Sequence, residues 1–524
     1  MSALPYRGAP SQPLFGRHHT ACQRVLLASR ARTCPPPYRE SSRTPMMDRH
    51  VVRQRPRRRS RSRESSMTAP TAPSATASHY QTDFPASEFR ERRNHVYEAI
   101  GPDAVAVLRG MPASGAFDLF RQHNDFYYLC GLEVPHAYLL LDGRKQESTL
   151  YLPSRDPHHE RSEGRTLAVE DAPELCRLSG VEQVHALPAL ESDLQASATV
   201  FTPRSPAEGY LACRDTLEHA RRMIESDPWD GSPSLETRFQ ERLAKLLPSA
   251  NFSDLSPILD SLRLVKSAAE IAIMRVAGRL TAIAVTESMR CTREGLYEYQ
   301  LAAVADYCFR LNGARGGGYR PIVASGDNIW NPHYFRNDAT LDSSDWVLMD
   351  YAPDVRNYTS DIGRMWPVNG RYTPWQRELY GFIVDYHKVL LSLIRPGVTA
   401  ATIYQEADDQ MRHHVEQTAW SRSSFRKAAL DVLTYNRHLT HPVGMAVHDV
   451  GHYHDEPLLP GIVLALDPQL WIPDEQIYVR VEDTVVVTET GVENLTAAAP
   501  LELDDVERVM RETGLLAARP DLLQ

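Results

Sequence analysis

Five side chains able to bind metal lie in the C-terminal third of this 524-residue chain: Asp350, Asp361, His441, Asp467 and Glu482. Four carboxylates and one imidazole form an oxygen-rich set, which suits a pair of hard or borderline divalent cations such as Mn2+ better than a thiolate zinc site. The chemistry such a set supports is hydrolysis by a metal-activated water. Taken one at a time, each residue has a blander reading. An aspartate at a strand end is commonly a turn or cap residue, and a lone histidine commonly packs or meets solvent.

The elements that must position these residues are legible in the pattern around them. Trp346-Val-Leu-Met-Asp350 reads as a strand that delivers a carboxylate at its end, and Asp361 follows after the turn-rich Pro353-Asp-Val-Arg-Asn357, so a hairpin would bring the two aspartates together. Asp467 closes the strand-like run Gly461-Ile-Val-Leu-Ala-Leu466 and is followed by Pro468. Ile477, Val479 and Val481 alternate with Tyr478, Arg480 and Glu482. The two-residue period then sets Glu482 beside a guanidinium, on the face turned away from the core side of its strand. Two long helices are expected behind them. Ser267-Ala-Ala-Glu270 is a capping box leading into Ile273, Ala277, Leu280 and Ala284 at helical spacing. Pro374 opens a second helix whose Leu379, Phe382, Ile383, Tyr386, Leu390 and Leu393 trace one apolar face until Pro396-Gly397. Both stripes read as core.

Three segments carry a family resemblance. Residues 349–371 (MDYAPDVRNYTSDIGRMWPVNGR), 441–451 (HPVGMAVHDVG) and 479–496 (VRVEDTVVVTETGVENLT) resemble the metal-binding segments of the aminopeptidase P branch of the pita-bread metallopeptidases, family M24. Upstream, 120–131 (FRQHNDFYYLCG), 152–157 (LPSRDP) and 163–165 (EGR) resemble the N-terminal domain of aminopeptidase P and prolidase, and 263–270 (RLVKSAAE) resembles the junction. The resemblance spans about residues 84–510. It implies an α/β (α+β) architecture with a smaller α/β domain at 84–255 and a pita-bread catalytic domain at 262–510, preceded by tail and linker at 1–80.

The resemblance also implies roles. Asp350 would chelate one of two divalent ions, Mn2+ in expectation; Asp361 and Glu482 would bridge both; His441 and Asp467 would serve the other. Asp467 would take the proton of the attacking water, His333 and His448 would hydrogen-bond the scissile carbonyl or its oxyanion, and Arg480 would orient carboxylates. Four positions depart from the family pattern. Asp467 and Gln469 stand where the family has Glu and Gly, Gly363 replaces a Thr hydroxyl, and Ala352 replaces Gly. The missing methylene at 467 shortens reach by about 1.5 Å, so either the backbone moves inward or an ion loses a ligand; the intact remainder of the set favours an inward shift.

Three activities fit. The first is an aminopeptidase releasing the N-terminal residue from peptides with Pro in second position; the others are a prolidase acting on Xaa-Pro dipeptides and a peptide-binding relative without hydrolase activity. The expected assembly is a homo-oligomer, dimer or tetramer.

Composition bounds the rest. A chain of 524 residues, 42% of them hydrophobic, can build two cores, and no apolar run is long enough to cross a membrane. Seven cysteines without a C-x-x-C pair read as reduced and cytoplasmic. Residues 1–66 hold fifteen Arg and no Lys against Glu40, Asp48 and Glu64, a net of +12, which leaves -21 on the remainder of a chain whose total is -9. Such a tail reads as nonspecific phosphate contact without a specific nucleic-acid site, as an organellar transit segment, or as an upstream extension before Met47 or Met67.

Overall fold

The computed structural model describes residues 80–519, except 116–118, 195–197 and 436–438. The expectations for the arginine-rich tail and for the linker as far as residue 79 lie outside the described residues.

Aliphatic runs such as Ala104–Arg109 (AVAVLR) and Tyr138–Asp142 (YLLLD) build the first sheet. Its six strands run in the order Gln183–Ala186, Glu147–Leu152, Tyr138–Asp142, Ala104–Arg109, Thr199–Thr202, Asn251–Asp254. The three central strands pair antiparallel and the outer ones parallel. Alternation divides the side chains between two cores. Val105, Val107 and Leu140 join Val200 and Leu243 on one face, whereas Ala106, Leu108, Leu139 and Leu141 join the main core on the other.

The second sheet carries the candidate site. Five antiparallel strands run in the order Val463–Leu466, Glu482–Val487, Ile362–Pro367, Trp346–Asp350, Ile322–Ser325, with Val492–Asn494 paired to Glu482–Val487. Register decides what meets. Gly363 stands opposite Asp350 on one neighbour and opposite Glu482 on the other, so three chemically relevant positions form one row across the sheet. A separate hairpin, Gln469–Ile472 with Ile477–Arg480, sets Gln469 opposite Arg480.

Helices Ala268–Cys291 and Pro374–Leu393 form as their caps and stripes require. Ser267 Oγ accepts from Glu270 N–H at 3.2 Å and Glu270 Oε2 accepts from Ser267 N–H at 2.9 Å, while Ile273, Ala277, Leu280 and Ala284 are buried. Leu379, Phe382, Ile383, Tyr386 and Leu390 are buried on the second helix. The strand breaks at Val481, and Glu482 and Arg480, which meet on one side of it, are both buried. Helix Pro374–Leu393 packs against Ile477–Arg480, and Trp471 lies beside its cross-strand partner Tyr478, 4.2 Å between ring centroids. Alternation fixes the side of a strand, not what covers it. Among the described residues no helix is long and apolar enough to cross a membrane.

A buried ionic network joins the two sheets' surroundings. Arg263, 2% exposed, reaches Asp125 at 2.7 Å, Glu208 at 3.1 Å and Asp449 at 2.5 Å, and Lys266 adds a second cation to Asp449 at 3.2 Å. Leaving any of these carboxylates unpaired would cost several kcal/mol, about 3–5 for a broken buried pair. The network therefore fixes the segment that contains His448.

Candidate metal centre and active site

The five expected ligands converge at one end of the second sheet. Asp350 ends its strand, Asp361 immediately precedes Ile362–Pro367, Asp467 follows Val463–Leu466 and Glu482 begins Glu482–Val487. The expected hairpin forms, and Tyr319 marks how close its two aspartates come. Its hydroxyl is 2.7 Å from Asp350 Oδ1 and 2.8 Å from Asp361 Oδ1. Asp361 is fixed through its backbone as well, since its N–H donates to Thr484 Oγ1 at 2.6 Å and its carbonyl accepts from the same hydroxyl at 2.8 Å.

Within this group Asp361, His441 and Glu482 are the tightest trio, each presenting one ligand atom within 4.8 Å of the other two. His441 Nδ1 lies 3.2 Å from the Pro442 carbonyl, which accepts its proton, and Nε2 stands 3.5 Å from Asp361 Oδ2. That tautomer leaves Nε2 free as a ligand. Burial, with the neighbouring His448 next, pushes the His441 imidazole well below its ordinary range, so it is neutral.

Asp350 and Asp467 are turned toward Arg480. Nη1 donates to Asp350 at 2.9 Å, Nε and Nη2 clasp Asp467 at 3.0 and 2.8 Å, and Nη2 also meets Glu482. The Gln469 amide donates to Asp467 Oδ2 as well. The two departures at 467 and 469 are thus linked: the shorter carboxylate is held by the guanidinium and by the side chain that stands where the family has glycine. Gly363 has a comparable explanation. A Cβ there would meet Glu482 Cβ at 3.0 Å and Arg480 Nε at 3.1 Å, so the space of the absent side chain is taken up by the guanidinium and its carboxylates.

Charge decides whether cations fit. Four buried carboxylates face a single buried guanidinium, a deficit of three positive charges if all four ionise. Burial pushes Asp361 and Glu482 well above the usual carboxylate range and raises Asp467, with Arg480 opposing the shift in Glu482 and Asp467. Glu482 Oε1 is buried without a hydrogen-bond partner among the described residues. Buried acids that ionise only at a cost, an orphaned carboxylate oxygen and a neutral imidazole together fit divalent cations, which would supply the missing charge.

A cavity of about 430 Å³ opens onto this cluster, lined by Asp350, Asp361, His441, Asp467, Arg480, His333 and His448. The His333 and His448 rings are 5.8 Å apart, and His448 packs on His441 at 4.2 Å. His448 Nδ1 is paired with Asp215 Oδ2 at 2.8 Å. Sequence reasoning missed Tyr319 and Asp215. The run Gly316-Gly317-Gly318 was the available signal for the tyrosine: a Cβ on Gly317 would strike the Tyr351 ring at 2.3 Å, and one on Gly318 would strike Thr359 at 2.4 Å, so glycines let this segment pass beneath both and present Tyr319.

An antiparallel sheet backed by long helices, with buried carboxylates and an imidazole at its end, is the framework of a metal-dependent hydrolase. The chain belongs to metallopeptidase family M24, whose model matches residues 272–489, and the aminopeptidase P N-terminal domain matches 89–201. It is 31% identical over 449 residues to the Xaa-Pro aminopeptidase of Escherichia coli (strain K12), covering 81% of this chain and 97% of that protein. Xaa-Pro aminopeptidase 3 of Homo sapiens is 30% identical over 421 residues, with coverage of 75% and 78%. Zn-substituted E. coli aminopeptidase P in complex with product superposes with a TM-score of 0.67 at 30% identity, over 82% of this chain and 99% of that one.

Proposed function

We propose that this metallopeptidase is an Xaa-Pro aminopeptidase, releasing the N-terminal residue from peptides with Pro in second position. The observation that carries the reading is the convergence of Asp361, His441 and Glu482 within 4.8 Å, beside Asp350 and Asp467, on a cavity that also presents His333 and His448. Coverage of 97% of a relative named Xaa-Pro aminopeptidase supports it.

Asp350, Asp361, His441, Asp467 and Glu482 would hold two divalent ions. When bound, such ions acidify water and polarise a carbonyl. The protein's own groups do the rest. Asp467 accepts the proton of the attacking water, and the burial that raises its pKa makes it a stronger base than a free aspartate. Arg480 holds Asp467 and Asp350 so that both keep their orientation while charge moves. With Nδ1 donating to Asp215, His448 has Nε2 left for substrate, a nitrogen that accepts a proton or, once protonated, donates one. His333, on the same wall, donates to the carbonyl oxygen as it gains charge.

The oxygen-rich, sulfur-free ligand set supports Mn2+. Unpaired Cys130, Cys176, Cys213, Cys291 and Cys308 support a reducing, cytoplasmic setting. Exposed Tyr297, Tyr299, Tyr307 and Leu311 support self-association as a dimer or tetramer. The two sheets support folding units at about 84–255 and 262–510. The test is comparative cleavage by Mn2+-loaded protein of an Xaa-Pro-Xaa tripeptide, the matching Xaa-Ala-Xaa and an Xaa-Pro dipeptide. Release of the first residue from the Pro tripeptide alone is expected. Cleavage confined to the dipeptide, or of none of the three, would contradict the reading.

A further inference from the structure

A second group of metal-binding side chains stands on the wall of the same cavity, outside the ligand set above. Cys213 precedes helix Arg214–Ser226, Asp215 lies in that helix's first turn, and His448 reaches both from the segment after His441. One ligand atom from each, a thiol sulfur, a carboxylate oxygen and an imidazole nitrogen, lies within 4.8 Å of the other two.

The backbone on both sides of this trio is anchored. Cys213 and Asp215 flank Arg214, whose guanidinium is held by Asp260 at 2.6 Å and Glu208 at 3.1 Å. His448 adjoins Asp449, which Arg263 and Lys266 hold at 2.5 and 3.2 Å. Arg263 also reaches Glu208 at 3.1 Å, so one buried cation fixes the supports of all three ligands. Preorganised ligands lose little freedom on binding an ion.

Softness separates this trio from the main set. One sulfur, one imidazole nitrogen and one oxygen suit a Zn2+-class ion, whereas the main set offers no sulfur. A thiol nucleophile is the competing use of Cys, His and Asp together. Burial, then the carboxylates of Asp215, Glu208 and Asp449, push the Cys213 thiol up to about 12, so it is protonated at neutral pH and a weak nucleophile. Ion binding, which displaces the thiol proton, is the chemistry left to it.

We propose that Cys213, Asp215 and His448 form an inhibitory site for a Zn2+-class ion, beside the main ligand set and sharing His448 with the hydrolytic centre. On binding, Cys213 loses its proton to solvent as the sulfur–metal bond forms. His448 gives up its hydrogen bond to Asp215, binds through Nδ1 and carries its proton on Nε2. The ion then ties helix Arg214–Ser226 to the His448 segment and takes the imidazole out of the hydrogen bond by which Asp215 orients it. The inhibitory consequence rests on the substrate role given to His448 above; the binding does not.

The test uses full-length, Mn2+-loaded protein titrated with Co2+ and with Zn2+, wild type beside Cys213→Ser and Asp215→Asn. Wild type is expected to develop a thiolate-to-Co2+ charge-transfer absorption, which a sulfur-free main site cannot produce, and to take up one further Zn2+ per chain by calorimetry. Both should be lost in Cys213→Ser and weakened in Asp215→Asn. Peptide cleavage should be inhibited by Zn2+ in wild type at concentrations that spare Cys213→Ser. Equal Zn2+ uptake by wild type and Cys213→Ser, or absence of the thiolate band in wild type, would overturn the site whatever the peptide assay gives. Zn2+ uptake at Cys213 without inhibition would overturn the inhibitory role.

Discussion

Tyr319→Phe removes the hydroxyl that stands 2.7 and 2.8 Å from Asp350 and Asp361, whose single proton the two carboxylates share. A hydrogen bond to a charged group contributes about 1.5–3 kcal/mol, and with one proton to donate that figure is the upper limit. The actual loss should be smaller. Asp350 keeps the Arg480 Nη1 contact at 2.9 Å, and Asp361 keeps the Ile362 N–H at 3.0 Å. Groups that steady metal ligands typically change affinity by about 10–100-fold, or roughly 1.4–2.8 kcal/mol. Calorimetric Mn2+ titration of metal-free wild type and variant should show a loss in that range, and cleavage of an Xaa-Pro-Xaa tripeptide should fall steeply at limiting metal and recover largely at saturating metal. Unchanged affinity would show that the two aspartates are held without Tyr319 and would refute the reasoning.

Further expectations separate metal binding from proton transfer. Asp361→Asn and Glu482→Gln should lose metal by elemental analysis, whereas His333→Ala and His448→Ala should keep it and lose roughly 10² or more in kcat. In Asp467→Glu the added methylene drives the carboxylate about 1.5 Å toward Arg480 and Gln469, so metal affinity and turnover should both fall; a gain in both would show that the shorter side chain is a defect. His387 supplies a pH dependence: burial pushes its pKa from 6.5 down to about 4, so the folded state stays neutral where the unfolded state takes up a proton. Its contribution is present above about pH 6.5 and is lost as pH falls toward 4, in total about 3 kcal/mol from 1.36 kcal/mol per unit. Denaturant unfolding at pH 7 and pH 5 should show a smaller pH loss in His387→Gln than in wild type.

The hairpin of Asp350 and Asp361 was legible because a strand run, a turn and a second strand lie within about twenty residues, and local pattern governs such units. The long helices were legible from the Ser267–Glu270 capping box, from Pro374 at a first helical position and from their apolar stripes. Alternation along Ile477–Glu482 makes Glu482 a neighbour of Arg480, as the structure has it, but says nothing of how deeply the pair is buried. Gly363 reads as a lost hydroxyl, whereas its Cβ position is crowded by Arg480 and Glu482, from two strands more than one hundred residues away. Tyr319, Asp215 and Cys213 meet their partners only through tertiary packing. Their separations, 31 residues from Tyr319 to Asp350 and 233 from Asp215 to His448, leave no periodic trace.

If the buried carboxylates and His441 bind divalent ions that make the chain an Xaa-Pro-specific peptidase, metal and cleavage must come and go together. Metal content and tripeptide cleavage measured on one preparation, before chelation, after chelation and after readdition of Mn2+, test it most directly. Up to two ions per chain, loss of cleavage with the ions and recovery with Mn2+ are expected. Cleavage that persists after the metal is gone, or protein that takes up no metal at all, would contradict it.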